Sequence, residues 1–204
     1  KILYEPELST SSNSDDEAIL DRFQQIFSTI HASLLPFKGQ VRQFISDDKG
    51  LVCIASFGLR GSATLNLSAT AVDAAIKIQE QLLQITETEC TIGGTLGKAF
   101  CGEIGCPSRY EFSIVGSSVN LSARLMAKGA RGTINCDEAL VANDTEHQYS
   151  CTVKHRLKGY EQPVRFYNPE LGDEHAQDNT PLDTSTAVHS SVRRDEIRKM
   201  IEHI

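Results

Sequence analysis

Two helical stripes separated by a pair of strands limit what this chain can fold into more than any other feature. Ile19, Phe23, Ile26, Ile30 and Leu34 recur at steps of three and four, as do Ala71, Ala75, Ile78, Leu82 and Ile85. That spacing puts each set on one side of a helix, and each helix must bury its stripe. Ser14, with Glu17 three residues on, has the form of a capping box that opens the first helix. Between the helices, Val41–Ile45 and Leu51–Phe57 read as strands around an Asp-Asp-Lys-Gly turn. Ile2–Tyr4 reads as a short strand ahead of the first helix. Strands near Thr91 and Phe100 follow the second, and a hairpin-like stretch runs to Val115. The order strand, helix, two strands, helix, strand is the βαββαβ, ferredoxin-like plan. The expected class is therefore α+β, with one mainly antiparallel sheet and helices chiefly on one face.

Farther along, Thr133–Asn135 is a short strand and Asp137–Ala142 a short helix. Val153–Leu157 and Val164–Tyr167 form a last hairpin. Residues 171–190 are polar, with few large apolar side chains, and read as a linker after a domain spanning 1–170. Residues 191–204 carry Arg193, Arg194, Asp195, Glu196 and Ile197 into a helical pattern through Met200, Ile201 and Ile204, the start of a following helix or module.

Composition excludes several functions. A net charge of -7 argues against a nucleic-acid or anionic-membrane surface, which would require clustered cations. No apolar run approaches the length of a membrane span, and no signal-peptide pattern opens the chain. The chain opens on Lys1 rather than Met, as a fragment of a longer protein does. The six cysteines show no CxxC spacing, and several lie in apolar strand-like runs. They read as buried free thiols of a reducing, cytoplasmic compartment rather than as zinc ligands.

The chemistry concentrates in Gly116–Arg124, GSSVNLSAR. Asn120 and Arg124 are four apart and share one helix face, while Val119, Ala123 and Met126 fall on a neighbouring face that packs onto a sheet. An amide and a guanidinium held side by side on a rigid element suit charge that develops on a transferring phosphoryl group. Tyr110 to Gly116 leads into that helix as a strand-like run ending in Gly.

Thr91–Ala139 as a whole resembles the catalytic domain of class III nucleotidyl cyclases. The matching pieces are Ile92-Gly93, Gly97, Gly102, Gly105, the Tyr110–Gly116 strand and Val119–Arg124. Gly39–Gly50 looks like that family's metal-bearing hairpin, and Leu157-Lys158-Gly159 through Tyr167 like its closing hairpin. The nearest subgroup is the soluble, bicarbonate-responsive adenylyl cyclases, and within it the second of two tandem cyclase domains. In that subgroup an ATPase-like module commonly follows, which is what 191–204 would begin.

The resemblance implies a reaction and a set of roles. The ribose 3′-oxygen of ATP attacks the α-phosphate in line, and pyrophosphate leaves as cyclic AMP forms. Asn120 would position the ribose and Arg124 would meet the α-phosphate in the transition state. Gln43 and Ser113 fall where the family reads the base. Each can donate and accept, which suits adenine without excluding guanine. Lys158 could reach the triphosphate, and Lys128 lies one turn beyond Arg124. Two Mg2+ or Mn2+ ions are expected, with Asp47 the best carboxylate and Asp48 beside it. The family's other metal aspartate should end the first strand. Tyr4-Glu5-Pro6-Glu7 stands there instead, so Glu5 or Glu7 substitutes or the ligand is absent. The chain is thus expected to be one half of a cyclase, with a partner cyclase domain supplying most metal carboxylates. The alternatives are a homodimer using Asp47 twice, a guanylyl cyclase, and a non-catalytic cyclase-like domain that dimerises or regulates.

Overall fold

In the computed structural model, residues 2–4, 13–47, 50–62 and 64–171 are described. The expectations for 5–12 and 172–204 lie outside that set. The elements run β1 (Ile2–Tyr4), α1 (Asn13–Leu34), β2 (Gln40–Asp47), β3 (Gly50–Ser56), α2 (Leu67–Thr86), β4 (Thr91–Gly94), β5 (Phe100–Cys106), β6 (Arg109–Val115), α3 (Ser117–Lys128), β7 (Ile134–Cys136), α4 (Glu138–Asn143), β8 (Tyr149–Cys151) and β9 (Tyr167–Pro169). Seven strands form one sheet in the order β2-β3-β1-β4-β7-β9-β8, and β5 and β6 form a separate hairpin. Every pairing in the main sheet is antiparallel except β4 with β7. The α+β, βαββαβ plan read from the two helical stripes is the observed one.

The stripes do what their spacing requires. Ile26, Ile30 and Leu34 of α1 pack with Val72, Ala75, Ile78 and Leu82 of α2, over Cys53, Ile92 and Ile134 of the sheet. Burying side chains of this size contributes roughly 1.5–3 kcal/mol each. Ile85 is an exception. It is half exposed, because the last turn of α2 buries Thr86 instead. α1 already begins at Asn13, so Ser14 lies inside the helix rather than at its cap.

The other face of the sheet carries α3. Successive strand residues point to opposite faces. Ile92 therefore enters the α1–α2 core, and Gly93 turns its bare α-carbon to α3. A Cβ at Gly93 would lie 2.0 Å from the Ser122 carbonyl oxygen, so only glycine lets the helix approach this closely. Leu125 then buries against Leu157 and Phe166 in a second, smaller cluster.

The last hairpin departs from expectation. Val153–Leu157 and Val164–Tyr167 are joined by a single bridge, His155 with Val164, and the strands lie instead at Tyr149–Cys151 and Tyr167–Pro169. Pro163 has no N–H to extend the ladder, and Leu157 and Phe166 turn onto α3.

Two buried carboxylates brace the far end of the sheet. Asp144, fully buried, is opposed by its burial. Even so, donors from Tyr149 Oη (2.5 Å), the Glu146 and His147 backbone and His147 Nδ1 (2.9 Å) hold it below the usual carboxylate range. His147 Nε2 faces Asp73 of α2 at 3.1 Å, which ties the α4–β8 turn to α2. Asp137 caps α4 by accepting from Leu140 N (2.9 Å) and also accepts from Leu96 N (3.2 Å). Burial outweighs these bonds and pushes Asp137 up to about 6 from 3.8.

A carboxyl whose folded pKa is raised contributes its stability while protonated and loses it as pH rises through the folded value. Asp137 ionisation should therefore cost stability between about pH 4 and pH 6. Asp137→Asn keeps the cap and removes that cost. Urea midpoints of both proteins should diverge across this window, with the Asp137→Asn variant gaining on the order of 1–3 kcal/mol relative to wild type. Parallel stability curves would contradict the assignment.

Candidate functional site

A bulge in β2 sets the geometry of the first group of candidates. Val41 stands opposite Ala55 but Gln43 opposite Ile54, so Arg42 is the extra residue. Val41 and Phe44 both pack against the α1–α2 core although they are three apart, which an unbroken strand would not allow. The displaced Arg42 places its guanidinium 4.6 Å from the centroid of the Phe112 ring on β6. It also donates to Ser56 Oγ at 3.4 Å and to Gln40 Oε1. This cation–π contact, with the bonds behind it, ties the β5–β6 hairpin to the sheet edge.

Gln43 and Ser113 are the chain neighbours of that contact. Gln43 is exposed on β2, and Ser113 is half-buried opposite Gly102. No hydrogen bond joins them among the described residues, so the structure brings their strands together without pairing the side chains. Sequence reading passed over Arg42 and Phe112. Strict alternation hides a bulge, and no local residue pattern announces this one.

The second group sits on α3. Asn120 is exposed, and Arg124, one turn on, is half-buried. The Arg124 guanidinium lies 5.2 Å from the centroid of the Tyr160 ring. Gly159, with φ of 80°, takes the left-handed conformation that favours glycine, and its α-carbon faces the Arg124 guanidinium. Lys158 is exposed in the same turn, which closes through Tyr160 N to Leu157 O at 3.1 Å. Leu157, buried against Leu125, anchors this turn beside Arg124. The structure thus brings Arg124 and the turn carrying Lys158 together. Lys128 is exposed in the last helical residue before Gly129.

Asp47 ends β2, paired with Gly50; its side chain, with Asp48, Glu5 and Glu7, lies outside the described residues. Among the described residues no cluster of three His, Cys, Asp or Glu side chains could hold a metal ion. No described helix is long and apolar enough to cross a membrane.

A cavity of about 360 Å³ opens near the start of α3, lined by Ile54, Leu96, Ile114 and Val119 among others. Among the described residues no charged side chain lines it. Gln43, Ser113, Asn120 and Arg124 all lie outside its wall.

The hairpin presents an unusual amount of apolar surface. Phe100, Ile104, Tyr110, Phe112 and Val115 are all exposed on it. A two-stranded ribbon is marginal alone. Its thiols correct the expectation of uniformly buried cysteines. Cys53, Cys90 and Cys136 are buried, and burial pushes Cys53 up to about 11 and Cys90 up to about 12. Cys101 and Cys106 are exposed, because the hairpin stands apart from the core. Bonds from the Ser108 side chain and from the Ser108 and Arg109 backbone lower the Cys106 thiol.

No family model matches the chain. Human adenylate cyclase type 10 is 30% identical over 122 residues, which cover 59% of this chain and 8% of that protein. The mouse protein of the same name is 27% identical over 157 residues, 72% of this chain and 10% of that one. The chain thus spans about a tenth of the length of these curated relatives. Among solved structures, the guanylyl cyclase Cya2 superposes with a TM-score of 0.71 at 18% identity, covering 86% of this chain and 92% of that one. The adenylyl cyclase CyaB from P. aeruginosa gives 0.70 at 19% identity, covering 82% and 87%. The shared feature is the fold of class III nucleotidyl cyclase catalytic domains, as the residues of Thr91–Ala139 implied.

If Arg42 fastens the hairpin, Arg42→Met should loosen it without unfolding the sheet. Removing a partly exposed cation–π contact costs about 0.5–2 kcal/mol. Amide exchange across β5 and β6 should accelerate several-fold while β4 and β7 stay as protected as in wild type. Unchanged hairpin exchange would show that Phe112 holds its place without Arg42.

Proposed function

We propose that this domain, which has the fold of class III nucleotidyl cyclase catalytic domains, is one half of a cyclase that forms cyclic AMP and pyrophosphate from ATP. The observation that carries the reading is the face of α3. Asn120 and Arg124 stand one turn apart, and Arg124 is braced by the Tyr160 ring. A guanidinium held in place before the reaction stabilises developing phosphoryl charge without the cost of reorganisation. In this reading Asn120 orients the ribose so that its 3′-oxygen lies in line with the α-phosphorus. Arg124 meets the phosphoryl oxygens as the bond to pyrophosphate breaks. Lys158, in the turn beside Arg124, faces the remaining phosphates. Gln43 and Ser113, on strands fastened by Arg42 and Phe112, read the purine edge. Adenine is preferred to guanine on the likeness to adenylate cyclase type 10, and the amide and hydroxyl at these two positions are compatible with it.

The exposed apolar hairpin supports assembly with a second cyclase domain across a shared cleft. Divalent metals belong to this chemistry, and the described residues do not by themselves hold a pair. Asp47 is the candidate ligand of this chain, with the partner's carboxylates supplying the rest. No step is therefore assigned to a metal held by this domain alone. A cytoplasmic enzyme with free thiols fits this reading. The Glu5-Pro6-Glu7 segment, which lacks the expected aspartate, favours a second reading: a cyclase-like domain that pairs and regulates without turning over ATP.

Arg124→Ala separates the two. In complex with a complementary cyclase domain, the variant should lose kcat by on the order of 100- to 1000-fold, the loss that follows removal of one transition-state donor. KM for ATP should change far less. An unchanged kcat with only a raised KM would make Arg124 a binding residue, and unchanged turnover of both kinds would favour the regulatory reading.

A further inference from the structure

Gln43 owes its outward position to the bulge in β2. In an unbroken strand Val41 and Gln43 would share a face. Val41 packs against the α1–α2 core, yet Gln43 is exposed. The register slips between the two, and Phe44 takes the next place against the core. Arg42 and Gln43 therefore leave the core side together, which is how a bulge re-aims a side chain.

Arg42 then meets the hairpin at the residue beside Ser113. Its guanidinium lies 4.6 Å from the centroid of the Phe112 ring. Bonds to Ser56 Oγ at 3.4 Å and to Gln40 Oε1 hold that guanidinium on the sheet side. β5 and β6 form their own two-stranded sheet, so no strand ladder fixes β6 relative to β2. β6 runs on into α3 just after Val115. Ser113 thus lies between two anchors: α3, seated on the sheet, follows it, and the Arg42–Phe112 contact precedes it.

We propose that Arg42 is a positioning residue for purine discrimination, acting through Phe112 to hold Ser113 at a working separation from Gln43. This rests on the reading of Gln43 and Ser113 as the base-facing pair. A purine edge carries its donors and acceptors at fixed separations, so two groups that read it must keep a fixed separation themselves. Small displacements of such groups are costly. Arg42 touches no base in this role. Asn120 and Arg124 stand on α3, which Gly93 and Leu125 seat without Arg42. Loss of Arg42 therefore falls on nucleotide choice and KM, and spares kcat. A contact that merely held the fold together would lower the rates with both purines alike.

The test uses the chain in complex with a complementary cyclase domain and reads the ratio of kcat/KM for ATP to that for GTP. Arg42→Met keeps the length of the side chain and removes its charge. It should lower the ratio by about 2- to 30-fold, the range that a cation–π contact of this kind is worth. The kcat at saturating ATP should stay within about twofold of wild type. Arg42→Lys keeps a cation over the ring and should retain most of the ratio. Phe112→Leu should act as Arg42→Met does, and the two together should do no more than either alone, because they remove one contact. With Gln43→Ala and Ser113→Ala already in place, Arg42→Met should change the ratio no further. An unchanged ratio in Arg42→Met, an equal loss with both nucleotides, or a further drop in the Gln43→Ala, Ser113→Ala protein would overturn the proposal alone. Failure of the underlying reading shows in the unsubstituted complex. Turnover of neither nucleotide, or turnover without preference between them, overturns that reading and this role of Arg42 with it.

Discussion

The contact between Gly93 and α3 is the one on which the rest of this domain depends. β4 is the strand through which the two layers meet: Ile92 faces the α1–α2 core and Gly93 faces Ser122 across a gap too small for a Cβ. That approach fixes the depth of α3 on the sheet. The depth of α3 in turn decides where Leu125 meets Leu157, and hence where the turn carrying Lys158, Gly159 and Tyr160 lies relative to Arg124. A side chain at position 93 would force the helix outward, at a typical overpacking cost of about 1–3 kcal/mol. It would also move every candidate phosphate-facing group at once. The placement of Asn120 and Arg124 is thus in large part a packing consequence of one glycine.

The two fastenings of the site differ in kind. Arg124 is held on a rigid helix, between an aromatic ring and a glycine whose backbone lets the turn come close. Gln43 and Ser113 are held on β2 and β6, which a partly exposed cation–π contact between Arg42 and Phe112 joins. The α3 group of candidates, proposed to face the phosphates, is therefore set within the domain itself. Of the two residues proposed to read the base, Gln43 lies on the sheet's edge strand β2 and Ser113 on the β5–β6 ribbon, whose aromatic side chains are exposed. An assembly that buried Phe100, Tyr110 and Phe112 would tighten this second group, which gives a physical reason for a half-domain to gain competence on pairing.

Much of the fold was legible because the helices must bury their stripes. Ile26, Ile30, Leu34, Ile78 and Leu82 were readable as core from spacing alone, and the βαββαβ order followed from where strands could fit between them. What escaped had no period to reveal it. The β2 bulge moves Arg42 off its alternating face, the final strands shift because Leu157 and Phe166 prefer α3 to a ladder, and Cys101 and Cys106 are exposed because the hairpin leaves the core. The Asn120–Arg124 pair was legible as a shared helix face, but its brace, Tyr160, is remote in sequence. Asp47 was placed at the end of its strand, while Glu5 and Glu7 fall outside the described residues.

If this domain is the proposed catalytic half, its activity depends on a complementary half. The direct measurement is cyclic AMP formation from ATP with Mg2+ or Mn2+, by the purified chain and by its equimolar mixture with a cyclase domain bearing both metal aspartates. Little or no product should form with the chain alone, and the mixture should turn over ATP clearly. Turnover by the chain alone that the partner does not increase would contradict that dependence.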